Sequence, residues 1–490
     1  MIKSICILIC CLSITSYSQV QIGEALYGEN AEDEFGLSIS LSDNGTIMAV
    51  SAIYHDGNGT DSGQVRIFQN TGGSWNQMGQ DINGEHPGDA SGMSVSLSGD
   101  GTIVAIGSRW NDGNGNDSGH VRVYQNNNNT WTQIGQDIDG ESPGDQSGMS
   151  ISLSANGSIV AIGAWLNGGN GHHSGHVRVF GNNAGIWTQI GEDIDGQHTT
   201  DICGRTVVLN ATGNIVAVGS TGNTANTDGN GEVRVFQNTA DTWTQIGQTM
   251  VGDATIDDFG YAIKLSNDGN IIAIGAQAND GNGTDSGQVK IFRNSSGTWT
   301  QIGQDIFGDA PGDRAGFALG LSGDGSIVAV GAPFNNNNGQ YAGYVKLYAN
   351  RNYAWEQIGE AIEGEASDDH SGLGLSINEE GTTVAIGSTY SNGNGYRSGQ
   401  VRVFDISGLL HAPSIIPIQC ALYPNPASTA CFVQLAPTNT LLDIRIFNTN
   451  GQLVKTAKTP NINIADLPSG TYFMHLRSEA GEAIQELIVN

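Results

Sequence analysis

The fold is determined by a sequence segment that is repeated along the chain. Its second copy, from Gly92 to Ile138, reads GMSVSLSGDGTIVAIGSRWNDGNGNDSGHVRVYQNNNNTWTQIGQDI. Apolar residues alternate within it, and turns rich in Gly, Asn and Asp separate the apolar runs. The copy therefore predicts a small antiparallel sheet of four strands. The four predicted strands are Met93 to Leu97, Thr102 to Gly107, His120 to Gln125, and Trp131 to Ile138.

The copies are spaced with a fixed period. One tryptophan recurs at intervals of 56 residues, at Trp75, Trp131, Trp187, Trp243, Trp299 and Trp355. One further step back reaches Gln19, so seven copies run from about residue 19 to about residue 410. Four short strands per unit at such a period are typical of a propeller blade. The sequence therefore predicts an all-β, seven-bladed β-propeller over residues 19–410, in which the tryptophans pack between strands.

The first and last copies predict how the ring closes. Val20-Gln21-Ile22-Gly23 matches the fourth strand of a copy, whereas the last copy stops after its third strand, Val401 to Phe404. We expect the N-terminal strand to complete the final blade, since this arrangement leaves no unpaired sheet edge between the first and last blades.

Three positions keep the same residue type in all seven copies. A glycine precedes the first strand, where we expect positive φ or close backbone approach: Gly36, Gly92, Gly148, Gly204, Gly260, Gly316 and Gly372. An aspartate three residues earlier is expected to cap the turn, with a carboxylate ring at the channel mouth as the alternative: Asp33, Asp89, Asp145, Asp201, Asp257, Asp313 and Asp369. A cation in the third strand predicts a repeated ion pair or carbonyl contact, with an anion-binding ring as the alternative: Arg66, Arg122, Arg178, Arg234, Lys290, Lys346 and Arg402.

Composition and the N-terminus limit the partners and the compartment. The net charge of -30 argues against nucleic acid and anionic membranes as partners, and leaves cations, glycans and basic proteins. Lys3, the apolar run from Ile5 to Ile14 and the small residues ending at Ser18 predict a cleavable secretory signal over residues 1–18. The mature chain is then predicted to have no transmembrane segment and three cysteines, of which Cys420 and Cys431 are close enough in sequence to bridge a hairpin.

The repeat resembles a known family. Phe35 to Ser42, Ile47 to Val50 and Gly63 to Phe68, with Val328-Ala329-Val330-Gly331-Ala332-Pro333 in a later copy, resemble the FG-GAP repeats of integrin α-chain propellers and their bacterial relatives. The resemblance implies a seven-bladed propeller and a role in adhesion or scaffolding. The connection that carries calcium in that family is short here, as in Ser98 to Gly101, and holds too few carboxylates for a calcium cage.

A second resemblance covers the C-terminus. Leu422 to Pro426, Ile444 to Asn448, Asn450 to Val454 and Leu467 to Phe473 resemble the type A sorting domain of the type IX secretion system. The resemblance implies a β-sandwich over residues 420–490 that engages the outer-membrane export machinery. Residues 411–419 are then predicted to be a linker, and the protein is expected to be secreted or at the cell surface.

The connection between the second and third strands is the candidate metal site. In three copies it has a D-G-N-G-x-D frame, whose oxygen ligands around glycines could wrap calcium, against the simpler interpretation as Asx and glycine turns. The candidate ligands are Asp56, Asn58, Asp61, Asp112, Asn114, Asp117, Asp280, Asn282 and Asp285. In other copies the final position holds His173, Tyr341 and Arg397, of which arginine is incompatible with a bound cation. The sequence indicates no other cofactor.

No catalytic motif is present in the sequence. We therefore expect a non-catalytic binding or adhesion propeller with a glycan or protein ligand at its loop face. The alternatives are a polysaccharide-acting enzyme, a lyase or glycosidase with its site at the channel mouth, and a structural component of an extracellular assembly. Binding predicts contacts spread over several blades, whereas catalysis predicts one blade pair with a buried carboxylate or histidine of shifted pKa.

Overall fold

A computed structural model of the chain describes residues 19–222, 229–410, 420–435, 441–449, 452–478 and 481–490. The predicted secretory signal at residues 1–18 and the predicted linker at residues 411–419 lie outside these ranges. The chain divides into two compact units, one of which runs from Ser18 to Leu410, while the other contains the C-terminal residues from His411. Among the described residues, no helix has both the length and the apolar character to cross a membrane.

Seven antiparallel sheets follow one another in the described part of residues 19–410, and each corresponds to one copy of the repeat. We number them blades 1 to 7 in chain order. Blade 7 takes its outer strand from the N-terminus, because Val20–Gln21 and Leu26–Tyr27 both pair with Gln400–Asp405. The unit is nearly all β and has the propeller fold that the repeat predicts.

Each blade contributes its strands in the same order. The first, innermost strands are Phe35–Leu41, Ser94–Leu97, Ser147–Leu153, Cys203–Leu209, Phe259–Leu265, Ala318–Leu321 and Ser371–Ile377. The second strands are Ile47–Ala52, Ile103–Ser108, Ile159–Ala164, Ile215–Ser220, Ile271–Ala276, Ile327–Ala332 and Thr383–Ser388. The third strands are Gln64–Thr71, His120–Asn126, His176–Asn183, Glu232–Thr239, Gln288–Ser295, Tyr344–Arg351 and Gln400–Asp405, and the last is followed by a one-turn helix, Ser407–Leu410.

The fourth strand differs from the prediction. In blades 1 to 5 it is broken into two short segments, Ser74–Gln77 with Ile82–Asn83, Trp131–Gln133 with Ile138–Asp139, Ile186–Gln189 with Ile194–Asp195, Thr242–Gln245 with Met250–Val251, and Thr298–Gln301 with Ile306–Phe307. Only blade 6 keeps one continuous described strand, Ala354–Glu363. The predicted run from Trp131 to Ile138 is therefore wrong as a single strand. Gly135 between its halves has φ of +81°, and a Cβ there would lie 2.7 Å from the ring of Trp187 in the next blade.

The blades are joined around the axis by hydrogen bonds between their innermost strands and turns. Ser40 Oγ accepts from Leu97 N at 3.0 Å, and Ser376 Oγ accepts from Leu41 N at 3.1 Å across the first and last blades. A cyclic set of backbone hydrogen bonds also links the turns after the first strands. One residue from each turn takes part, and its backbone amide donates to the backbone carbonyl of the equivalent residue in the following blade, at 2.7 to 3.2 Å. The order is Asp43, Gly99, Ala155, Ala211, Asn267, Gly323, Glu379 and back to Asp43.

Apolar side chains fill the space between neighbouring sheets. The alternating residues of the second and third strands are fully buried, as in Val104, Ile106 and Val121 of blade 2. The glycine before each first strand has the expected conformation, since φ is +96° at Gly92 and a Cβ there would lie 2.8 Å from Ser51 Cβ. Burial on this scale is the main source of stability, at about 25 cal/mol per Å² of apolar surface.

The C-terminal unit contains two antiparallel sheets. One consists of Cys420–Tyr423, Ala430–Leu435 and Asn461–Asn463, and the other of Leu453–Ala457, Leu441–Asn448, Gly470–Ser478 and Gly481–Val489. Ile444, Ile446, Met474 and Leu487 form its fully buried core. Cys420 lies opposite Leu435 rather than Cys431, and both cysteines are free.

Candidate functional site at the channel mouth

Two sets of connections form the loop face of the propeller, because antiparallel strands place them at the same end of each sheet. One set joins the second strand to the third within a blade, and the other leads into the next blade. Backbone hydrogen bonds connect the two sets, as from Ala90 N to Asp61 O at 3.0 Å and from Ser91 N to Ser62 O at 2.9 Å.

The repeated aspartates cap these connections. Asp89 Oδ2 accepts hydrogen bonds from the backbone amides of Glu85 and His86, at 3.2 and 3.0 Å, and from Asn111 Nδ2 at 3.1 Å. The seven equivalent aspartates are at most 3% exposed. The capping interpretation is thus confirmed, and these carboxylates brace the loops instead of lining the mouth.

The predicted metal ligands are brought together in threes, within separate loops. In blade 1, Asp56 Oδ1 accepts from Asp61 N at 2.9 Å and Asn58 Nδ2 donates to Gly84 O at 2.8 Å. The same two contacts hold Asp112, Asn114 and Asp117 in blade 2 and Asp280, Asn282 and Asp285 in blade 5.

The same turn also forms where the final aspartate is replaced. Asn336 Oδ1 accepts from Tyr341 N, and Asn392 Oδ1 accepts from Arg397 N, both at 2.9 Å. These loops therefore fold through Asx hydrogen bonds whatever the last residue is. Calcium at the three acidic loops remains a prediction.

One position at the mouth, directly after the invariant aspartate, holds a different residue in every blade. Between the repeated aspartate and glycine, seven different residues occupy equivalent places: Glu34, Ala90, Gln146, Ile202, Asp258, Arg314 and His370. All seven have positive φ, from 48° to 59°. A left-handed backbone is unfavourable for such residues, for the β-branched Ile202 above all. It is part of the turn that every copy of the repeat shares.

Aromatic rings and arginines surround the mouth of the central channel, a cavity of about 340 Å³ lined by all seven innermost strands. Arg205 lies over the ring of Tyr261, with 4.5 Å from Cζ to the centroid, and Tyr261 and Phe317 are in ring contact at 4.9 Å. The series continues through Phe334, His370 and Tyr390 with centroid distances of 6.0, 5.0 and 4.9 Å.

Three further arginines lie over aromatic rings at this mouth. The distances from Cζ to the ring centroid are 4.3 Å for Arg109 over Trp110, 5.3 Å for Arg314 over Phe334 and 4.6 Å for Arg397 over Tyr390. Stacking of this kind contributes about 0.5–1 kcal/mol at accessible sites and holds the guanidinium in a fixed orientation. Four of the 19 lysines and arginines of this acidic chain thus lie at one mouth, where Arg314 pairs with Asp285 at 3.7 Å and Arg397 with Glu34 at 3.9 Å.

One carboxyl group in the mouth titrates near neutrality. Burial raises the pKa of Glu34 to about 7, although Arg397 opposes this rise. Arg397 Nη1 lies 3.9 Å from Glu34 Oε1, and Tyr390 and Tyr54 are the neighbouring phenols whose pKa values burial and Glu34 raise. Glu34 is therefore partly protonated at pH 7.

The cations of the third strands belong to the blade flanks. Arg122 Nη2 donates to Asn83 O at 2.9 Å and Nη1 lies 3.4 Å from Glu85 Oε1, and Lys346 Nζ pairs with Asp309 at 2.5 Å. These contacts confirm the expected ion pairs and carbonyl contacts.

Sequence reasoning missed the residues of the mouth. The site prediction was based on positions that repeat between copies, whereas the mouth consists of residues that differ from copy to copy. The available signal was the variable residue directly after the invariant aspartate, together with the aromatic or arginine residue that follows the glycine in Arg205, Tyr261 and Phe317.

Protein-family models match parts of both units. Residues 28–68 and 84–124 match the FG-GAP repeat, and residues 421–490 match the secretion system C-terminal sorting domain. The chain carries FG-GAP repeats and a C-terminal sorting domain. The sorting domain implies export through the type IX system, to the cell surface or the outside, and an interaction with that machinery.

Solved structures resemble the FG-GAP propeller at low sequence identity. A proposed 6-phosphogluconolactonase from Bacteroides uniformis is 12% identical with a TM-score of 0.48, covering 67% of this chain and 85% of its own. The periplasmic gluconolactonase of Pseudomonas aeruginosa is 14% identical with a TM-score of 0.47, covering 87% and 95%. At these values the likeness says nothing about activity. Among curated proteins, none matches this sequence.

Proposed function

We propose that this protein is an exported, non-catalytic binding or adhesion propeller that holds a glycan bearing carboxylate groups at its channel mouth. The observation that carries the proposal is the set of four arginines stacked on aromatic rings, which extends over several blades. Aromatic faces bind sugar rings through apolar contact, and a guanidinium pairs with a carboxylate through two parallel hydrogen bonds. The predicted secretory signal at residues 1–18 fits this role.

A glycan array and a titration with soluble uronate oligosaccharides test the proposal. We expect binding to acidic glycans and weaker binding to their neutral counterparts. Arg205→Ala should lower the affinity by about ten- to a hundredfold, since loss of one charge-assisted contact costs about 1.5–3 kcal/mol. Arg293→Ala is the matched control, because Arg293 lies over Tyr353 at 5.9 Å near the opposite end of its strand. Equal losses from both variants, or no preference for acidic glycans, would contradict the proposal.

A second candidate function is supported by Glu34. A carboxyl group with a pKa near 7, flanked by two tyrosines and an arginine, has the properties of a general acid or base. The alternative is therefore a polysaccharide-acting lyase or glycosidase with Glu34 at its centre. Binding is the primary proposal because the arginines and rings are distributed around the mouth, while the carboxyl lies at one place. Product analysis of any bound glycan separates the two functions, since cleavage that Glu34→Gln abolishes would establish the enzyme.

A further inference from the structure

Two clusters of one histidine and two carboxylates occupy equivalent places in blades 2 and 3. In blade 2, His120 Nδ1 lies 4.0 Å from Glu85 Oε2 and 3.9 Å from Asp137 Oδ2. In blade 3, His176 Nδ1 lies 3.9 Å from Glu141 Oε2 and 3.5 Å from Asp193 Oδ2. In each cluster the three donor atoms all lie within 4.8 Å of one another.

The histidines are buried with their Nδ1 atoms directed at the carboxylates. Both are 1% exposed, and in the described residues their Nε2 atoms have no hydrogen-bond partner. Neither carboxylate is within hydrogen-bonding distance of His120, so this side chain is not held by ordinary hydrogen bonds. In blade 3 the contact is shorter, since His176 Nδ1 lies 3.5 Å from Asp193 Oδ2. The feature shared by both blades is a buried Nδ1 that faces two carboxylates at once.

Blade 5 shows what the same position does with a different residue. Gln288 replaces the histidine, and its Nε2 donates to Asp253 Oδ2 at 3.2 Å and to Asp305 Oδ2 at 2.8 Å. An amide has two protons and satisfies both carboxylates, whereas a neutral imidazole offers only one proton or one lone pair at Nδ1. Replacing glutamine by histidine thus removes a bridge between two acids and supplies a metal ligand in its place.

We propose that each cluster binds one divalent transition-metal ion of the Zn²⁺ class, through the Nδ1 lone pair of the histidine and one oxygen of each carboxylate. Zn²⁺ binds nitrogen and oxygen at about 2.0–2.2 Å and accepts three protein ligands with water as the fourth. Tetrahedral ligands at that distance lie about 3.4 Å apart, so the contacts of 3.5 to 4.0 Å would have to shorten by up to about 0.6 Å, and the acidic side chains, 29% to 44% exposed, have room to move. Nitrogen ligation favours Zn²⁺ over Ca²⁺, which prefers oxygen alone.

The surroundings orient the ligands. Arg122 Nη1 holds the second oxygen of Glu85 at 3.4 Å, and Arg178 Nη1 holds that of Glu141 at 3.5 Å. In each site the glutamate comes from the connection that leads into the blade, and the histidine and the aspartate come from the outer part of the same blade. A bound ion would therefore link these two parts. Metal binding should therefore raise the melting temperature, because the ion binds the folded state.

Titration of the full chain with Zn²⁺ by calorimetry tests the inference. We expect two ions per chain, one ion for His120→Gln or His176→Gln, and none for the double variant. Glutamine is the residue that blades 1, 5 and 7 carry at this position in Gln64, Gln288 and Gln400, so the variants should fold. The matched control is His86→Gln, which removes an exposed imidazole next to Glu85 and should leave both ions bound.

Two further measurements keep the result unambiguous. Co²⁺ should give visible absorption bands that disappear in the double variant, and Zn²⁺ should raise the melting temperature of the native chain but not of the double variant. Asp137→Asn with Asp193→Asn provides a second pair of substitutions that spares both histidines. Two ions that remain bound in the double histidine variant, or a native chain that binds none, would overturn the inference.

Discussion

Glu34 combines two properties at the scale of the single residue. Its backbone has φ of 52°, in a position where each blade places a different side chain, and burial raises its pKa to about 7. A neutral carboxyl group can lie next to an anionic ligand, whereas the ionised group repels one. The charge of the mouth therefore depends on pH within the physiological range.

Binding of an acidic glycan should depend on pH through Glu34. Below its pKa of about 7 the group is neutral, and above it a negative charge opposes the ligand carboxylates. We predict that affinity falls several-fold between pH 6 and pH 8, since interactions of about 1 kcal/mol are expected at partly accessible sites. Glu34→Gln should flatten this profile in calorimetric titrations at constant ionic strength. An unchanged slope in the variant would exclude Glu34 as the origin.

Asp43 gives a prediction about stability at the opposite end of the channel. Burial and the nearby Glu379 raise its pKa to about 6, from 3.8. The folded protein then binds more protons than the unfolded chain between these values, so the free energy of unfolding decreases as pH rises from about 4 to 6. Asp43→Asn should remove that decrease and stabilise the protein at pH 7 by about 1–2 kcal/mol after solvent screening.

Denaturant unfolding at pH 4 and pH 7 measures this effect. The variant and the native protein should have nearly equal stability at pH 4 and differ at pH 7. Glu379→Gln is the companion variant, because it removes the neighbouring charge and should also stabilise at pH 7. A variant that is less stable than the native protein at pH 7 would show that the Asp43 carboxylate contributes more than it costs.

At the scale of the element, the strand boundaries follow from local sequence except in the outer strand. The first three predicted strands of blade 2 agree with the structure to within about one residue at each end, because alternation and turn residues determine them. The outer strand breaks at Gly135, where the ring of Trp187 from the next blade packs against the chain. That contact joins positions 52 residues apart, so no local pattern could predict it.

The repeated tryptophans show the same dependence between elements. Each indole Nε1 donates to a backbone carbonyl of the preceding copy, as from Trp131 to Met78 O at 2.8 Å and from Trp187 to Ile134 O at 2.9 Å. The expected role in strand packing is confirmed, and the hydrogen bond adds a link between neighbouring blades.

Trp131→Phe should destabilise the propeller by about 1–3 kcal/mol, because the phenyl ring leaves the Met78 carbonyl without the donor that it has in the native protein. Trp131 is 3% exposed, whereas Trp243 makes the same contact from a half-buried position. Trp243→Phe is therefore the matched control, with a smaller expected loss since water can replace the indole. Thermal unfolding of both variants measures the difference, and equal losses would contradict the assigned role of burial.

At the scale of the whole molecule, the repeat and the site were predictable to different degrees. Seven copies of one period specify the propeller, and the missing fourth strand of the last copy specifies how the N-terminus pairs. The mouth could not be predicted in the same way. Arg109, Arg205, Arg314 and Arg397 are far apart in sequence, and only the arrangement of blades around an axis brings them to one opening.

Closure through the N-terminal strand leads to the final prediction. Val20 and Gln21 pair with Asp405 and Phe404, and Ile22 N donates to Val403 O at 2.7 Å. Removing residues 19–27 would take this strand from blade 7 and expose the edge of Gln400–Asp405, which favours pairing with other chains. We predict a large loss of thermal stability and association into oligomers, measured by calorimetry and light scattering.

A circular permutant separates ring closure from simple loss of chain. Residues 19–27 are moved behind Leu410 through a flexible linker, so that the same strand can pair with Gln400–Asp405 from the other end of the unit. If pairing in blade 7 is what matters, the permutant should regain most of the lost stability and remain monomeric. A truncated chain as stable as the native one would show that the propeller does not depend on this strand, because the contacts between innermost strands alone would then hold blades 1 and 7 together. A permutant no more stable than the truncated chain would show that pairing in blade 7 is not the origin of the loss.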